Sequence, residues 1–404
     1  MNICIVIESM ANGKGGAERV AASLCNQLIK QDDRVWIMYK GASDSILSYR
    51  ISNKVKKIAF SFEGNEGEMK KHLDNLNLDI IHIFYYNRRL INFLRYYPDN
   101  VKITVQECST PSRVLNNWRR QTSLSFHDAV WEREVALAQA SQIRFTRSEF
   151  LSSIPLYLRK KALVFSNSYE PHNYKANVSQ VGNDGKFHII FISGMKANKN
   201  FEFFLYAFVK LAEKYDNWVV DVYGYIPPSP KNRMGYVDKV YAYIKENRLS
   251  DKVFIHGISN DIYKNFSASH IHVITSKEEN FSLSTLEAMS CGVPSVGMKC
   301  CVGVRSLVLN EKNGLLVESS DDVFELSEKL EILMDDRNLR KKYGDACLDS
   351  LSDYTPEKLA DNWNLFFESA LAKKEETIDK LSFFERERYF HAKRMFPLLK
   401  ERLL

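Results

Sequence analysis

Two glutamates, Glu279 and Glu287, flank the run Phe281, Ser282, Leu283 and Ser284, with seven residues between the two acids. The apolar, β-branched stretch 270–274 before them has the length of a buried strand, and the helical pattern after them stops at Gly292 and Pro294. A strand therefore hands over to a helix N-terminus. If Ser282 or Ser284 caps that helix, the N–H groups of Phe281, Ser282, Leu283 and Ser284 point into the crevice at the carboxyl end of the strand. An anion gains about 0.3 to 2 kcal/mol in such a place. Carboxylates do not bind phosphate, but they accept hydrogen bonds from hydroxyls. The pattern implies a ligand with a diphosphate in the middle and a polyol at each end, as in a nucleotide sugar. The plainer reading is a strand-to-helix connection carrying two solvated glutamates.

The elements that must position these residues repeat along the chain. Residues 2–9 read as a first strand, a loop with Gly13, Gly15 and Gly16 follows, and residues 17–30 form an amphipathic helix. The glycines let the backbone approach a ligand at that helix N-terminus. Their spacing is not the dinucleotide fingerprint, and the next strand, 34–40, ends in Lys40 rather than an acid. Strand patterns at 55–60, 79–84, 101–105, 142–146 and 162–165 alternate with helical stretches, which predicts a parallel, doubly wound sheet. Residues 171–186 lack apolar periodicity and are rich in turn formers, as a linker would be. A second series follows, with strands at 187–192, 218–224, 253–257 and 314–317 and two helices within 321–352. A long helix at 355–373 opens with Pro356 in a first-turn position. The tail 374–404 reads as helical. Its aromatics suit a membrane surface, self-association or packing on the first domain.

With 404 residues the chain is long enough for two or three domains. A composition of 45% hydrophobic and 26% charged residues is that of a globular protein. The net charge of +6 suits an acidic small ligand or an anionic surface rather than nucleic acid. Seven scattered cysteines, Cys4, Cys25, Cys108, Cys291, Cys300, Cys301 and Cys347, show no zinc-ligand spacing and read as reduced thiols of the cytoplasm. The first residues lack a signal peptide's basic start and long apolar core, and no apolar run approaches the roughly 20 residues of a membrane span. The expectation is a cytoplasmic protein whose contact with the inner membrane, if any, is peripheral.

The motif resembles the donor-site signature of the retaining glycosyltransferases of family 4, within the glycosyl transferases group 1: Glu, seven residues, Glu, then Ala-Met-x-x-Gly-x-Pro. Glu279, Phe281, Glu287, Ala288, Met289, Gly292 and Pro294 all fall in register. Gly-Gly-Ala-Glu-Arg at residues 15–19 is similar to the family's glycine loop, and Ile-His-Gly-Ile-Ser at 255–259 to its base-contacting segment. Lys199 with Asn200 matches the family's phosphate-site lysine, but the arginine expected five residues earlier falls on Gly194. Lys196 is the nearest substitute, as a point charge without the bidentate fork. Gly303-Val304-Arg305 stands where the family usually has Pro-Glu, so Arg305 reverses a charge beside the phosphates.

The resemblance implies an α/β, GT-B fold of two facing Rossmann-like domains with parallel sheets and the active site in their cleft. Residues 1–170 would bind the acceptor, 171–186 link, and 187–354 bind the donor. Residues 355–373 would cross back to the first domain ahead of the 374–404 tail. The implied reaction is a retaining, metal-independent transfer from a nucleotide-diphosphate sugar, a UDP- or GDP-sugar, to a hydroxyl of a glycan acceptor. That acceptor would be a growing bacterial surface polysaccharide such as lipopolysaccharide O-antigen or capsule, lipid-linked at the inner membrane face. Glu287 would hold the donor ribose and Glu279 the transferred sugar. Lys199 and the Phe281–Ser284 amides, helped by Gly15 and Gly16, would stabilise the leaving diphosphate, and the backbone at Ile258 would meet the base. Where the family often carries histidines, the chain has His82, Phe84 and Gln106, and His127 is a candidate replacement for acceptor or sugar contacts. Arg88-Arg89 and Trp118-Arg119-Arg120 are candidates for a basic, aromatic face. The alternatives are a non-catalytic nucleotide-sugar binder, or a hydrolase or epimerase of nucleotide sugars on the same fold.

Overall fold

The computed structural model describes residues 1–10, 15–41, 47–60, 73–85, 100–122, 124–226, 235–372 and 383–401. Gly13, Arg88 and Arg89 lie outside them. The chain divides into two compact units, one of Met1–Ser166 with Leu359–Leu404 and one of Asn167–Lys358.

The first unit is built on seven parallel strands: β1 (Asn2–Ile7), β2 (Arg34–Lys40), β3 (Lys56–Phe60), β4 (Ile80–Tyr85), β5 (Lys102–Glu107), β6 (Gln142–Phe145) and β7 (Ala162–Val164). Their order is β3-β2-β1-β4-β5-β6-β7. Central strands such as β4, buried at all six positions, are covered on both faces. Continuous Ile and Val runs rather than alternating ones follow from that burial. Among the described residues, the helices between these strands are α1 (Gly16–Lys30), α2 (Pro111–Thr122), α3 (Phe126–Ala138) and α4 (Leu156–Arg159). Val20, Leu24 and Leu28 share the buried stripe of α1.

In the second unit, β8 (Phe187–Ile192), β9 (Trp218–Tyr223), β10 (Val253–Gly257), β11 (Ile271–Ile274), β12 (Ser295–Met298) and β13 (Gly314–Val317) form a parallel sheet. Its order is β10-β9-β8-β11-β12-β13. Around it pack α5 (Phe201–Lys214), α6 (Tyr236–Glu246), α7 (Ile262–Ser267), α8 (Leu283–Ser290), α9 (Val302–Arg305), α10 (Val323–Asp335) and α11 (Arg337–Asp349). Phe191, Phe201, Phe204 and Phe208 stack through its core. The chain lays β8, β9 and β10 to one side and then returns to place β11 on the other side of β8. Ligands of open α/β sheets bind at such a reversal, beyond the carboxyl ends of the strands.

Residues 171–186, the expected linker, contain no helix or strand but lie fixed along the second unit. Ala176 N–H donates to Cys291 O at 2.8 Å, and Arg340 Nε, fully buried, donates to Val178 O at 2.7 Å.

Helix α12 (Pro356–Ala372) belongs to the first unit from Leu359 onward. Its Trp363, Phe366 and Phe367 are buried there against His82 and Phe165. Helix α13 (Phe383–Glu401) also packs on that unit. Arg388 grips the buried Glu134 of α3 with two bonds of 2.7 Å, and Glu385 accepts from the N–H of Tyr157 at 2.9 Å. Of the three settings open to the tail, packing on the first domain is the one α13 displays.

Candidate active site

The reversal in the second sheet brings together two loops that are far apart in sequence. After β8 the chain makes a single 3-10 turn, Ala197–Lys199, and then Asn200 adopts the left-handed conformation, φ 56°, before α5 begins. Left-handed backbone is uncommon outside glycine, and Asn tolerates it best. After β11 the chain runs through Thr275 and Glu279 to the start of α8. Lys199 Nζ and the Glu279 carboxylate form an ion pair across the gap, their side chains 25% and 17% exposed. A cation and an acid thus face each other at the carboxyl ends of β8 and β11, open enough to exchange partners with a ligand.

Ser282 is the cap of α8: its Oγ accepts from Thr285 N–H at 3.3 Å and lies 2.7 Å from Thr285 Oγ1. One expected phosphate donor is lost, because the Ser282 N–H points to Gly303 O at 3.3 Å. The amides of Leu283 and Ser284 have no backbone acceptor among the described residues, as first-turn amides of a helix do not. Phe281 serves as an anchor, its ring 8% exposed in a cluster with Leu286, Met289, Leu307 and Cys347. Glu287 is 4% exposed on α8.

The loop that carries Glu279 is fixed by Gly303 at the start of α9. Gly303 N–H donates to Glu279 O at 3.1 Å, while Gly303 O takes the Ser282 amide. A Cβ on Gly303 would lie 2.6 Å from Glu279 O and 2.9 Å from its carbonyl carbon, so the two backbones touch only because residue 303 has no side chain. Ile258, 42% exposed, follows Gly257, whose φ of +77° needs a glycine and whose O accepts Gly224 N–H at 2.8 Å. Among the described residues, a Cβ at Gly194 would meet only Tyr225 O at 3.7 Å and Lys196 Cε at 3.8 Å. The stem of Lys196 therefore passes beside the place where an arginine was expected. Arg305 is exposed on α9.

Residues 175–347 match the family described as Glycosyl transferases group 1. An uncharacterized glycosyltransferase of Haemophilus influenzae is 24% identical over 363 residues, 86% of this chain and 95% of that protein. The N-acetylgalactosamine-N,N'-diacetylbacillosaminyl-diphospho-undecaprenol 4-alpha-N-acetylgalactosaminyltransferase of Campylobacter jejuni is 23% identical, over 82% of this chain and 90% of its own. A TarM variant of S. aureus, solved in complex with fondaparinux, alpha-GlcNAc-glycerol and UDP, superposes with a TM-score of 0.71 at 12% identity. It covers 91% of this chain and 100% of its own. The chain is a glycosyltransferase whose residues 175–347 match the group 1 family. Its two parallel-sheet units are those of the GT-B architecture.

In the first unit of this glycosyltransferase, Gly15 is the cap of α1 and Gly16 its first residue, and Arg19 N–H donates to Gly15 O at 3.2 Å. The Glu18 carboxylate folds back over Gly15, where a Cβ would strike it. His82 and Gln106 are not available to an acceptor or a sugar, which corrects the expectation for both. His82 has no exposed surface. Its Nδ1 lies 2.9 Å from Thr104 Oγ1, and its ring meets Phe84, Trp363, Phe366 and Phe367 edge-on. Burial, and secondly the Arg144 charge, push its pKa down to about 3, so the ring is neutral. Gln106, 4% exposed, accepts a hydrogen bond from Arg144 Nη1 at its Oε1, 2.7 Å away. Arg144, fully buried, also donates to the carbonyls of Phe165 at 3.1 Å and Ser166 at 3.0 Å, beneath the rings of Phe165 and Trp363.

His127 is exposed on the first turn of α3. Trp118 is not part of a surface, since its ring is fully buried and its Nε1 donates to Glu132 at 2.9 Å; only Arg119 and Arg120 beside it are exposed. Among the described residues, no group of three or more His, Cys, Asp and Glu side chains is disposed to hold a metal ion. None of the described helices is long and apolar enough to cross a membrane.

Proposed function

We propose that this glycosyltransferase is a retaining, metal-independent enzyme of family 4. It moves a sugar from a UDP-sugar to a hydroxyl of a lipid-linked bacterial surface glycan at the cytoplasmic face of the inner membrane. The observation that carries this reading is the Lys199–Glu279 pair at the reversal of the second sheet, next to the amides of Leu283 and Ser284. A lysine and two helix-end amides stabilise a leaving diphosphate as a divalent cation does elsewhere. Glu279 accepts hydrogen bonds from hydroxyls of the transferred sugar, and Glu287 from the ribose. The backbone at Ile258 lies along the base. The bond between the anomeric carbon and the diphosphate oxygen breaks, and the acceptor oxygen bonds to that carbon on the same face. The hydroxyl proton passes to the departing phosphate.

UDP as the donor nucleotide is supported by its presence in the TarM complex, and a polyprenyl diphosphate acceptor by the name of the Campylobacter relative. A surface polysaccharide, lipopolysaccharide or capsule, is the product class that this reading proposes. The test is thermal unfolding with saturating UDP, GDP and their sugar nucleotides. A ligand at a hundred times its Kd adds about 2.7 kcal/mol, a shift of a few degrees in a chain of this length. A shift with UDP compounds alone supports the reading, a shift with GDP compounds alone moves the donor class, and no shift with any overturns it. Turnover of the matching sugar nucleotide should then fall about a hundredfold or more in Lys199→Ala. Release of free sugar without any acceptor would instead make the protein a hydrolase.

A further inference from the structure

Lys199 sits on a segment with little regular structure of its own. It is the last residue of a three-residue 3-10 turn, and a left-handed Asn200 follows it. A four-carbon side chain on such a segment points reliably only if the backbone beneath it is tied down. That tie comes from the opposite loop. Thr275, the first residue after β11 and fully buried, shares its hydroxyl proton between Lys199 O at 3.1 Å and Asn200 O at 2.8 Å.

The strand that leads to Glu279 therefore also fixes the turn that carries Lys199. The hydroxyl spans the reversal at the level of the main chain, one layer beneath the ion pair that spans it at the level of the side chains. Threonine's second branch is a methyl group, so valine reproduces its shape and removes only the donor. Without the donor, the half-buried Lys199 carbonyl faces an apolar methyl, a situation the backbone relieves by moving. Lys199 moves with it.

We propose that Thr275 is a positioning residue of the donor site, holding Lys199 where it meets the diphosphate. The proposal rests on the reading of Lys199 as the phosphate-binding cation. Thr275 touches no ligand and acts only through the carbonyls of residues 199 and 200.

The test is a double-mutant cycle on nucleotide binding with the full chain, titrating UDP, or GDP should the wild type bind that instead. Thr275→Val should raise Kd about tenfold, and Thr275→Ser, which keeps the hydroxyl, should stay within twofold of wild type. In a Lys199→Ala background the further change Thr275→Val should alter Kd by less than twofold, because the residue it positions is gone. Melting temperatures without nucleotide separate this from simple unfolding, and Thr275→Ala replaces the valine variant should that one not fold. An equal loss in both backgrounds would mean that Thr275 supports the fold and not Lys199. A valine variant that binds like wild type, or a serine variant as weak as valine, also overturns the proposal. A wild-type protein that binds neither nucleotide overturns the reading of the site itself and this inference with it, whereas binding that is insensitive to Thr275→Val leaves that reading standing.

Discussion

The imidazole of His82 lies edge-on to the indole of Trp363, with ring centroids 5.1 Å apart, and so joins a central strand of the first sheet to the helix that returns from the second unit. Trp363 is 1% exposed and also meets Phe165, Phe366 and Phe367. Its truncation opens a cavity in a core that cannot easily collapse. Trp363→Ala should cost about 3 to 5 kcal/mol, read as a lower denaturant midpoint, and a loss below about 1 kcal/mol would mean that α12 is only loosely attached.

Stability should peak near pH 6.5. Burial pushes the pKa of His82 and His272 down to about 3 and that of His270 down to about 4. Each stays neutral in the fold while the unfolded chain takes up a proton near pH 6.5, so stability is lost as pH falls from 6.5 towards 4. His188 has the opposite sign. Its hydrogen bond to Asp221, at 2.6 Å, raises its pKa against the opposing effect of burial. That contribution is complete below 6.5 and is lost as pH rises through the raised value. Melting temperatures from pH 4 to 8 check both limbs. Asp221→Asn should flatten the alkaline one, and His272→Asn should make the acid one shallower.

Among the described residues, a Cβ at position 194 makes only ordinary contacts, with Tyr225 O and Lys196 Cε. Gly194→Arg should therefore fold normally and add a second cation to the phosphate seat. Charge-assisted hydrogen bonds contribute about 1.5 to 3 kcal/mol, so UDP should bind about tenfold to a hundredfold tighter. Calorimetric titration decides it, and an unchanged Kd would place residue 194 away from the phosphates.

Gly303→Ala tests the loop on the other side of the ion pair. The added methyl cannot occupy space 2.6 Å from Glu279 O, so the segment from Glu279 to Ser282 must shift. Overpacking of this kind costs about 1 to 3 kcal/mol. The stabilisation conferred by UDP should shrink along with the melting temperature of the free protein. Intact UDP stabilisation in a less stable variant would show that the loop relaxes without disturbing the phosphate seat.

Much of the site was legible because local chemistry dictated it. The β-branched runs of β8 and β11, the turn-forming stop at Gly292 and Pro294 and the serine cap of α8 each follow from residues within one turn or strand. What escaped depends on partners distant in sequence. Nothing near His82 announces that Trp363 will close over it. Nothing in the turn-rich stretch 171–186 announces that Arg340 will hold Val178 O. Gln106 reads as a polar group at the end of a strand until Arg144 arrives from β6. Thr275 and Gly303 were equally silent, because what they grip is main chain, and main chain leaves no mark in the residue types around it.

The second unit is a single uninterrupted stretch, whereas the first is divided around it. Domains tend to form in the order in which the ribosome delivers them, but here that order is broken. The first sheet emerges early with the surface around His82, Phe84 and Phe165 still lacking Trp363, Phe366 and Phe367. The later-made unit is contained within Asn167–Lys358, so all of it is synthesised before α12 is complete. The nascent N-terminal half thus emerges without the aromatic side chains that cover it, and a stop codon anywhere before α12 would leave that apolar face open to aggregation.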